Sequence, residues 1–141
     1  MSKILRVKSF DQLPLLANIE EICGFYPWSL ETIQCAHMHG DIFFAYDDFS
    51  GYCCLAVVCD FAELRSLSVL PSEQRKSKGW KLCQHCIEFC KKMLLKCIYL
   101  EVAIDNFVAL KLYQKCGFET VGTRKNYYDD GKDAFVMQLV L

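Results

Sequence analysis

Three stretches of the chain carry side chains able to do chemistry. In Gln74-Arg75-Lys76-Ser77-Lys78-Gly79-Trp80 a polar, basic loop runs into an amphipathic segment. A helix starting there would present unpaired backbone N–H groups and a partial positive charge, a natural seat for phosphate. Arg75, Lys76, Lys78 and Lys81 would add charge-assisted bonds. The same composition also suits a solvated basic loop. Glu101 is the only charged residue between Ile98 and Ile104. In a strand it faces away from Leu100 and Val102. Burial would raise its pKa and make it a better base near neutral pH, whereas at a sheet end it would simply meet solvent. Asn106 and Tyr113 follow, about two turns apart on one side of a helix. A tyrosine there serves either as core or as a proton donor.

These residues need a frame. Ile4 to Lys8 alternates as a strand does, and Asp11 is placed to cap a helix reaching about Cys23, with Gly24 as its stop. Ser29 reads as the N-cap of a second helix ending near Met38. Strands are expected over 41–46, 51–60 and 63–69, the first two joined by a turn at Asp47 to Gly51. A helix over about 79–95 and an apolar strand over 98–104 follow. A helix capped by Asp105 or Asn106 then ends at Gly117, and a hairpin (119–128 and 134–141) turns around Asp130-Gly131. The order β-α-α-β-β-β-α-β-α-β-β is that of a mixed α/β or α+β domain.

In this order the stretches resemble the GNAT acetyltransferases, and within them the RimI-type enzymes that acetylate the N-terminal alanine of a small-subunit ribosomal protein. Tyr26-Pro27-Trp28-Ser29 resembles the family's F-P-W-S. Gln74 to Gly79 resembles the acetyl-CoA signature Q-R-x-G-x-G. Leu100-Glu101-Val102, Asn106, Ala109-Leu110, Leu112-Tyr113 and Gly117-Phe118 resemble L-E-V…N…A-x-x-L-Y…G-F. Asn126-Tyr127-Tyr128, Asp133-Ala134 and Met137 resemble the closing hairpin. The matches span about residues 4 to 141.

The resemblance implies a central, mostly antiparallel sheet with one splayed parallel pair, flanked by helices. It implies acetyl-CoA in the splay, held by the backbones of Leu67, Ser68 and Val69, with one N–H polarising the thioester carbonyl. Arg75, Lys76, Ser77, Lys78, Gly79 and Trp80 would cradle the pyrophosphate, and Asn106 would bond the coenzyme beyond the thioester. Glu101 would be the general base and Tyr113 the acid, without an acyl-enzyme. Pro27, Trp28, Tyr127 and Tyr128 would form the entrance for a protein N-terminus, although packing explains these aromatics equally well. Ser77 departs from the signature glycine, and a positive φ there would cost on the order of 1 kcal/mol. Trp80 is bulkier than the residue usual at that place. Other acceptors (lysines, polyamines, antibiotics) and a catalytically weak coenzyme-binding module remain alternatives on the sequence alone.

Composition sets the outer bounds. The 141 residues suit one domain spanning 1–141, 53% hydrophobic and 23% charged. A net charge of -1 provides no field for nucleic acid or anionic lipid. The longest apolar run, Tyr52 to Cys59, is too short to span a membrane, and the first residues lack a signal-peptide core. The resemblance implies a cytoplasmic setting. Ten cysteines invite a metal reading, since Cys83, Cys86 and Cys90 with His85 look like a zinc knuckle. Their spacing is instead one stripe of a helix, with no second pair to complete four ligands, so no metal is expected. Cys53, Cys54, Cys59, Cys97 and Cys116 read mostly as small core residues. Asp47, Asp48, Asp129, Asp130 and Asp133 suit a basic substrate tail but more simply suit turns.

Overall fold

The computed structural model describes residues 2–141. Seven strands form one sheet: β1 (Ile4–Val7), β2 (Ile42–Tyr46), β3 (Gly51–Val58), β4 (Phe61–Val69), β5 (Cys97–Ala103), β6 (Glu119–Arg124) and β7 (Ala134–Val140). Four helices flank it: α1 (Leu13–Cys23), α2 (Leu30–Met38), α3 (Lys78–Lys92) and α4 (Phe107–Lys115). The strand order is β1-β2-β3-β4-β5-β7-β6. Every pairing is antiparallel except β4 with β5. The element order and the mixed sheet with one parallel pair agree with the sequence reading.

Alternation along the strands divides the core in two. Phe43 and Ala45 pack with Leu13, Leu16, Ile19 and Ile33 under α1 and α2. Ile42, Phe44 and Tyr46 pack on the opposite face with Leu82, Cys86 and Ile87 of α3. The expected boundaries hold where a cap chemistry exists. Gly24 adopts φ 55 and closes α1 through its N–H to the Glu20 carbonyl. Ser29 Oγ accepts the Thr32 N–H at 3.1 Å and starts α2. Three expectations are corrected. Asp11 does not cap α1; it lies in a 3-10 turn over Phe10–Gln12, and Gln12 precedes the helix without a side-chain cap. Cys59 is not in a strand but is exposed in the β3–β4 turn at φ 53. β6 stops at Arg124, so Tyr127 and Tyr128 belong to the connecting loop.

The parallel pair is short, and its ending creates the cleft. β4 and β5 are in register from Phe61↔Cys97 to Leu64↔Leu100 and no further. On the other edge of β4, Leu64 faces Leu55 whereas Ser66 faces Cys54, leaving Arg65 as an extra residue. Such a bulge raises local twist and turns a strand away from its neighbour. Beyond it β4 continues on β3 alone and β5 on β7 alone, so the two strands part.

Candidate active site

The mouth of the cleft is the start of α3. Ser77 occupies the N-cap position at φ 63, ψ 15, and its side chain caps no N–H. Arg75 also has φ 63. A helix N-terminus leaves its first N–H groups without intrahelical partners, and a turn with left-handed residues aims such groups into one concavity. The arrangement fits a diphosphate. Gly79 is needed for a different reason: a Cβ there would stand 3.2 Å from Leu112 Cδ2 of α4, so glycine lets α3 and α4 approach.

The condition attached to Ser77 is met, since the position requires left-handed backbone. Glycine would relieve about 1 kcal/mol of strain but lose a similar amount to unfolded-chain entropy. Ser77→Gly should therefore leave the coenzyme Kd within about threefold by calorimetry. A β-branched residue is a true outlier at such a φ, so Ser77→Val should raise Kd about tenfold or more with the same readout.

The lysine side chains of the loop are placed differently from expectation. Lys78 Nζ lies 2.7 Å from Ser50 Oγ, 2.8 Å from Glu73 Oε1 and 4.9 Å above the Tyr46 ring. It is largely buried and turned away from the cradle, so only its backbone N–H remains for an anion. Its partners come from β2, the β2–β3 turn and the β4–α3 connection, a convergence invisible in the linear sequence. Lys76 is paired with Glu73 at 3.0 Å. Trp80 carries Lys115 Nζ 5.8 Å above its ring.

The β4 edge supplies the next contacts. Leu70 N–H donates to Ser50 at 2.8 Å, and the register Tyr52↔Ser68 follows from it. Antiparallel alternation then turns the Ser68 backbone towards β3 and the N–H groups of Leu67 and Val69 towards the cleft. The Val69 carbonyl is already taken by Gln74 Nε2 at 3.0 Å and Cys23 Sγ at 3.3 Å. Of the three expected strand residues, Leu67 and Val69 thus keep donors aimed at the opening and Ser68 does not. Asn106 caps α4, its Oδ1 accepting Ala109 N–H at 3.3 Å, which leaves its amide nitrogen as the available donor.

Glu101 lies at the point where the strands part. Leu100 and Val102 are buried in the α3–α4 core, so Glu101 faces the other side, as alternation requires. Arg124 Nε of β6 is 3.1 Å from Glu101 Oε2. The approach is off the hydrogen-bonding direction, and Oε2 is buried without a hydrogen-bond partner. A buried carboxylate oxygen in that state is costly unless something else fills the valence. Tyr127 leans over the same carboxylate. Burial first, then the Glu101 charge beside it, raise the Tyr127 pKa.

Tyr113 is buried, 8% exposed, on the α3 side of the cleft. Phe118 packs edge-on to it at 5.9 Å. Burial, and then the thiols of Cys83, Cys53, Cys86 and Cys116, raise its pKa, so it is protonated at all ordinary pH. The helical stripe Cys83, Cys86 and Cys90 faces this core, and Cys86 Sγ is 3.3 Å from Cys53 Sγ. Cys35 and Cys59 are exposed, so the core-filling role covers most of the ten thiols and not all.

Two loops roof the face that carries Glu101. Tyr26 stacks on Tyr128 with ring centroids 4.0 Å apart, and its hydroxyl donates to Asp130 Oδ2 at 2.7 Å. Tyr127 meets Tyr128 edge-on at 5.0 Å. Trp28 carries the Arg65 guanidinium 5.1 Å above its ring, and Pro27 beside it is exposed. The α1–α2 loop is thereby joined to the β6–β7 loop across the face. This contact links residues 104 apart in sequence, a pairing no local pattern signals, although Tyr26 sits inside the Tyr26-Pro27-Trp28-Ser29 motif. The acidic residues serve turns: Asp48 accepts from Ser50 N–H, Asp130 from Lys132 N–H and Asp133 from Asn126 N–H. A separate hollow of about 380 Å³ along α2, lined by Thr32, Cys35, His39 and Arg65, contains none of the residues singled out for chemistry.

A split parallel pair, an open helix N-terminus at its mouth, a carboxylate where the strands part and a tyrosine on the α3 side fit an enzyme that brings an acyl coenzyme to an amine. The sequence model of the Acetyltransferase (GNAT) family matches residues 11–118, and the chain belongs to this family of acetyl-CoA-dependent N-acetyltransferases. It is 31% identical over 147 aligned positions to the [ribosomal protein bS18]-alanine N-acetyltransferase of Escherichia coli K12, covering 99% of this chain and 97% of that one. A 36% identical match to the putative enzyme of the same name from Bacillus subtilis spans 65% of this chain and 62% of the relative. The crystal structure of the ribosomal-protein-S18-alanine N-acetyltransferase from Escherichia coli superposes with a TM-score of 0.91 at 30% identity, over 99% and 94% of the two chains. Ard1 from Thermoplasma volcanium shares the fold at a TM-score of 0.90 and 19% identity. Among the described residues no helix is long and apolar enough to cross a membrane.

Proposed function

We propose that this protein acetylates the N-terminal α-amino group of a protein, namely the N-terminal alanine of a small-subunit ribosomal protein in a bacterial cytoplasm. The observation that carries this reading is the Oε2 of Glu101 under the two joined loops, buried, without a hydrogen bond and met only by the exposed Arg124 guanidinium. It leaves an acceptor open where an amine entering between those loops would arrive. The relatives named above supply the class of acceptor.

The coenzyme supplies an activated acetyl thioester. The open N-terminus of α3, with Arg75 and the N–H groups of residues 76 to 80, holds its diphosphate. Leu67 and Val69 N–H bond the arm, and one of them polarises the carbonyl as charge develops on its oxygen. Asn106 donates its side-chain amide to the arm. A peptide α-amine has a pKa near 7.7 to 8.0, so about a tenth to a fifth of it is neutral at pH 7. Glu101, directly or through a water on Oε2, takes the amine proton as nitrogen attacks. Tyr113 donates to sulfur as the C–S bond breaks. Pro27, Trp28, Tyr127 and Tyr128 wall the path of the chain.

A panel of peptides differing in the first residue, incubated with acetyl-CoA, tests the assignment. Mass spectrometry should find one acetyl group on the α-amine of alanine-starting ribosomal peptides, with kcat/KM at least about tenfold above that for lysine side chains. Preferential modification of a lysine or of a small amine would overturn the α-amine reading.

A further inference from the structure

Glu20 is the one buried charged residue among the described residues, 5% exposed, and the mechanism makes no use of it. It sits in the last turn of α1 on the same stripe as Leu13 and Leu16, where an apolar side chain would be expected. Among the described residues no cation pairs with it. Its charge is met by neutral donors from three other parts of the chain. Oε2 accepts the backbone N–H of Trp28 at 3.1 Å. Oε1 accepts the Ser66 hydroxyl at 2.6 Å and the hydroxyl of Tyr52 in β3. Ser66 is the residue immediately after the β4 bulge, where the cleft opens.

The loop from Phe25 to Trp28 has no backbone–backbone bond of its own, so the Trp28 N–H to Glu20 is its one backbone tether. The remaining anchors are side chains: Tyr26 on Asp130 and Tyr128, and the Trp28 ring under Arg65. One carboxylate therefore fastens the wall of the acceptor path to the strand that opens the cleft.

We propose that Glu20 is a positioning residue, which sets the acceptor loop through the Trp28 amide by accepting hydrogen bonds rather than by its charge. This rests on the reading of residues 25–29 as the acceptor wall. Glutamine can reproduce the bonding: its oxygen takes Oε2's place towards Trp28, and its NH₂ donates to the Tyr52 and Ser66 hydroxyls, which rotate to accept. Methionine fills the same volume and accepts nothing comparable.

The test compares Glu20→Gln and Glu20→Met with the parent. The exchange rate of the Trp28 amide is read by NMR without coenzyme, and kcat and KM are measured with an alanine-starting peptide. Leaving the Trp28 amide without its acceptor predicts exchange and peptide KM about tenfold higher in Glu20→Met. In that variant kcat and coenzyme Kd should stay within about twofold, and Glu20→Gln should restore both altered quantities. A Glu20→Met protein of normal coenzyme Kd with unchanged Trp28 exchange would overturn the proposal. So would a Glu20→Gln protein whose kcat falls as far as that of Glu101→Gln, because charge would then be what matters. Should Glu20→Met not fold, Glu20→Asp draws the acceptor back from Trp28 and must accelerate exchange in the same way. If exchange responds as stated while no protein, parent included, acetylates any peptide, the positioning stands and the acceptor assignment falls.

Discussion

Glu101→Gln should lower kcat by about a hundredfold to ten-thousandfold, the range general-base groups contribute, with coenzyme Kd changed by less than about twofold. The substitution keeps shape and volume, and the group it abandons, Arg124, is 60% exposed. With the Arg124 partner exposed the ion pair contributes little, and glutamine removes a buried charge, so thermal stability should hardly move. The pH dependence separates a base from a mere contact. At pH 7 roughly a tenth to a fifth of the peptide amine is neutral, and at pH 9 nearly all of it is. On the proposed mechanism Glu101 removes the proton within the complex, so the parent's kcat/KM for the peptide should change little across that interval. In Glu101→Gln the amine must arrive neutral, so kcat/KM for the peptide should rise about five- to tenfold between pH 7 and pH 9. Steady-state kinetics at both pH values check this. A variant with the parent's kcat and a flat profile would remove the base assignment.

Tyr113→Phe should reduce kcat by about a hundredfold and leave the KM for both substrates within about threefold. The direction of the proton transfer decides how to read the effect. A thiol titrates near 8.5 and tyrosine near 10, and burial raises Tyr113 further. Complete transfer from Tyr113 to a free thiolate therefore runs uphill. On the proposed mechanism the contribution lies in the transition state, where sulfur gains charge beside a hydroxyl packed in the core with Phe118 and cysteine thiols. Removing the hydroxyl leaves the ring packed as before, so stability should be kept and the loss should fall on turnover alone. Unchanged kcat in a folded Tyr113→Phe enzyme would assign this tyrosine to the core.

Much of this frame is legible in the sequence because it is local. Ser29, Asn106, Gly24 and Gly117 mark helix ends by chemistry that acts within four residues. Glu101 stands out because one charge interrupts an apolar strand. The left-handed backbone at Ser77 follows once the loop is matched to a motif. What escaped depends on contacts between distant segments. Lys78 reads as a phosphate ligand until Ser50 and Glu73 converge on it. Asp11 reads as a cap, but the chain makes a 3-10 turn before α1. Ser68 reads as one of three equivalent strand residues until the register turns its backbone towards Tyr52. Glu20 bonds Ser66 across 46 residues and Tyr26 bonds Asp130 across 104, separations that no periodicity reports. One signal was present for Glu20: an acidic residue on the apolar stripe of α1.

The most direct test of the account is a single localisation experiment. A ribosomal-type peptide beginning with alanine and carrying an internal lysine is incubated with acetyl-CoA and either the parent protein or Glu101→Gln, and tandem mass spectrometry places the added group. The account predicts one acetyl on the alanine α-amine with the parent, none on lysine, and a rate at least about a hundredfold lower with Glu101→Gln. Acetylation of the lysine, or equal rates from the two proteins, would contradict it.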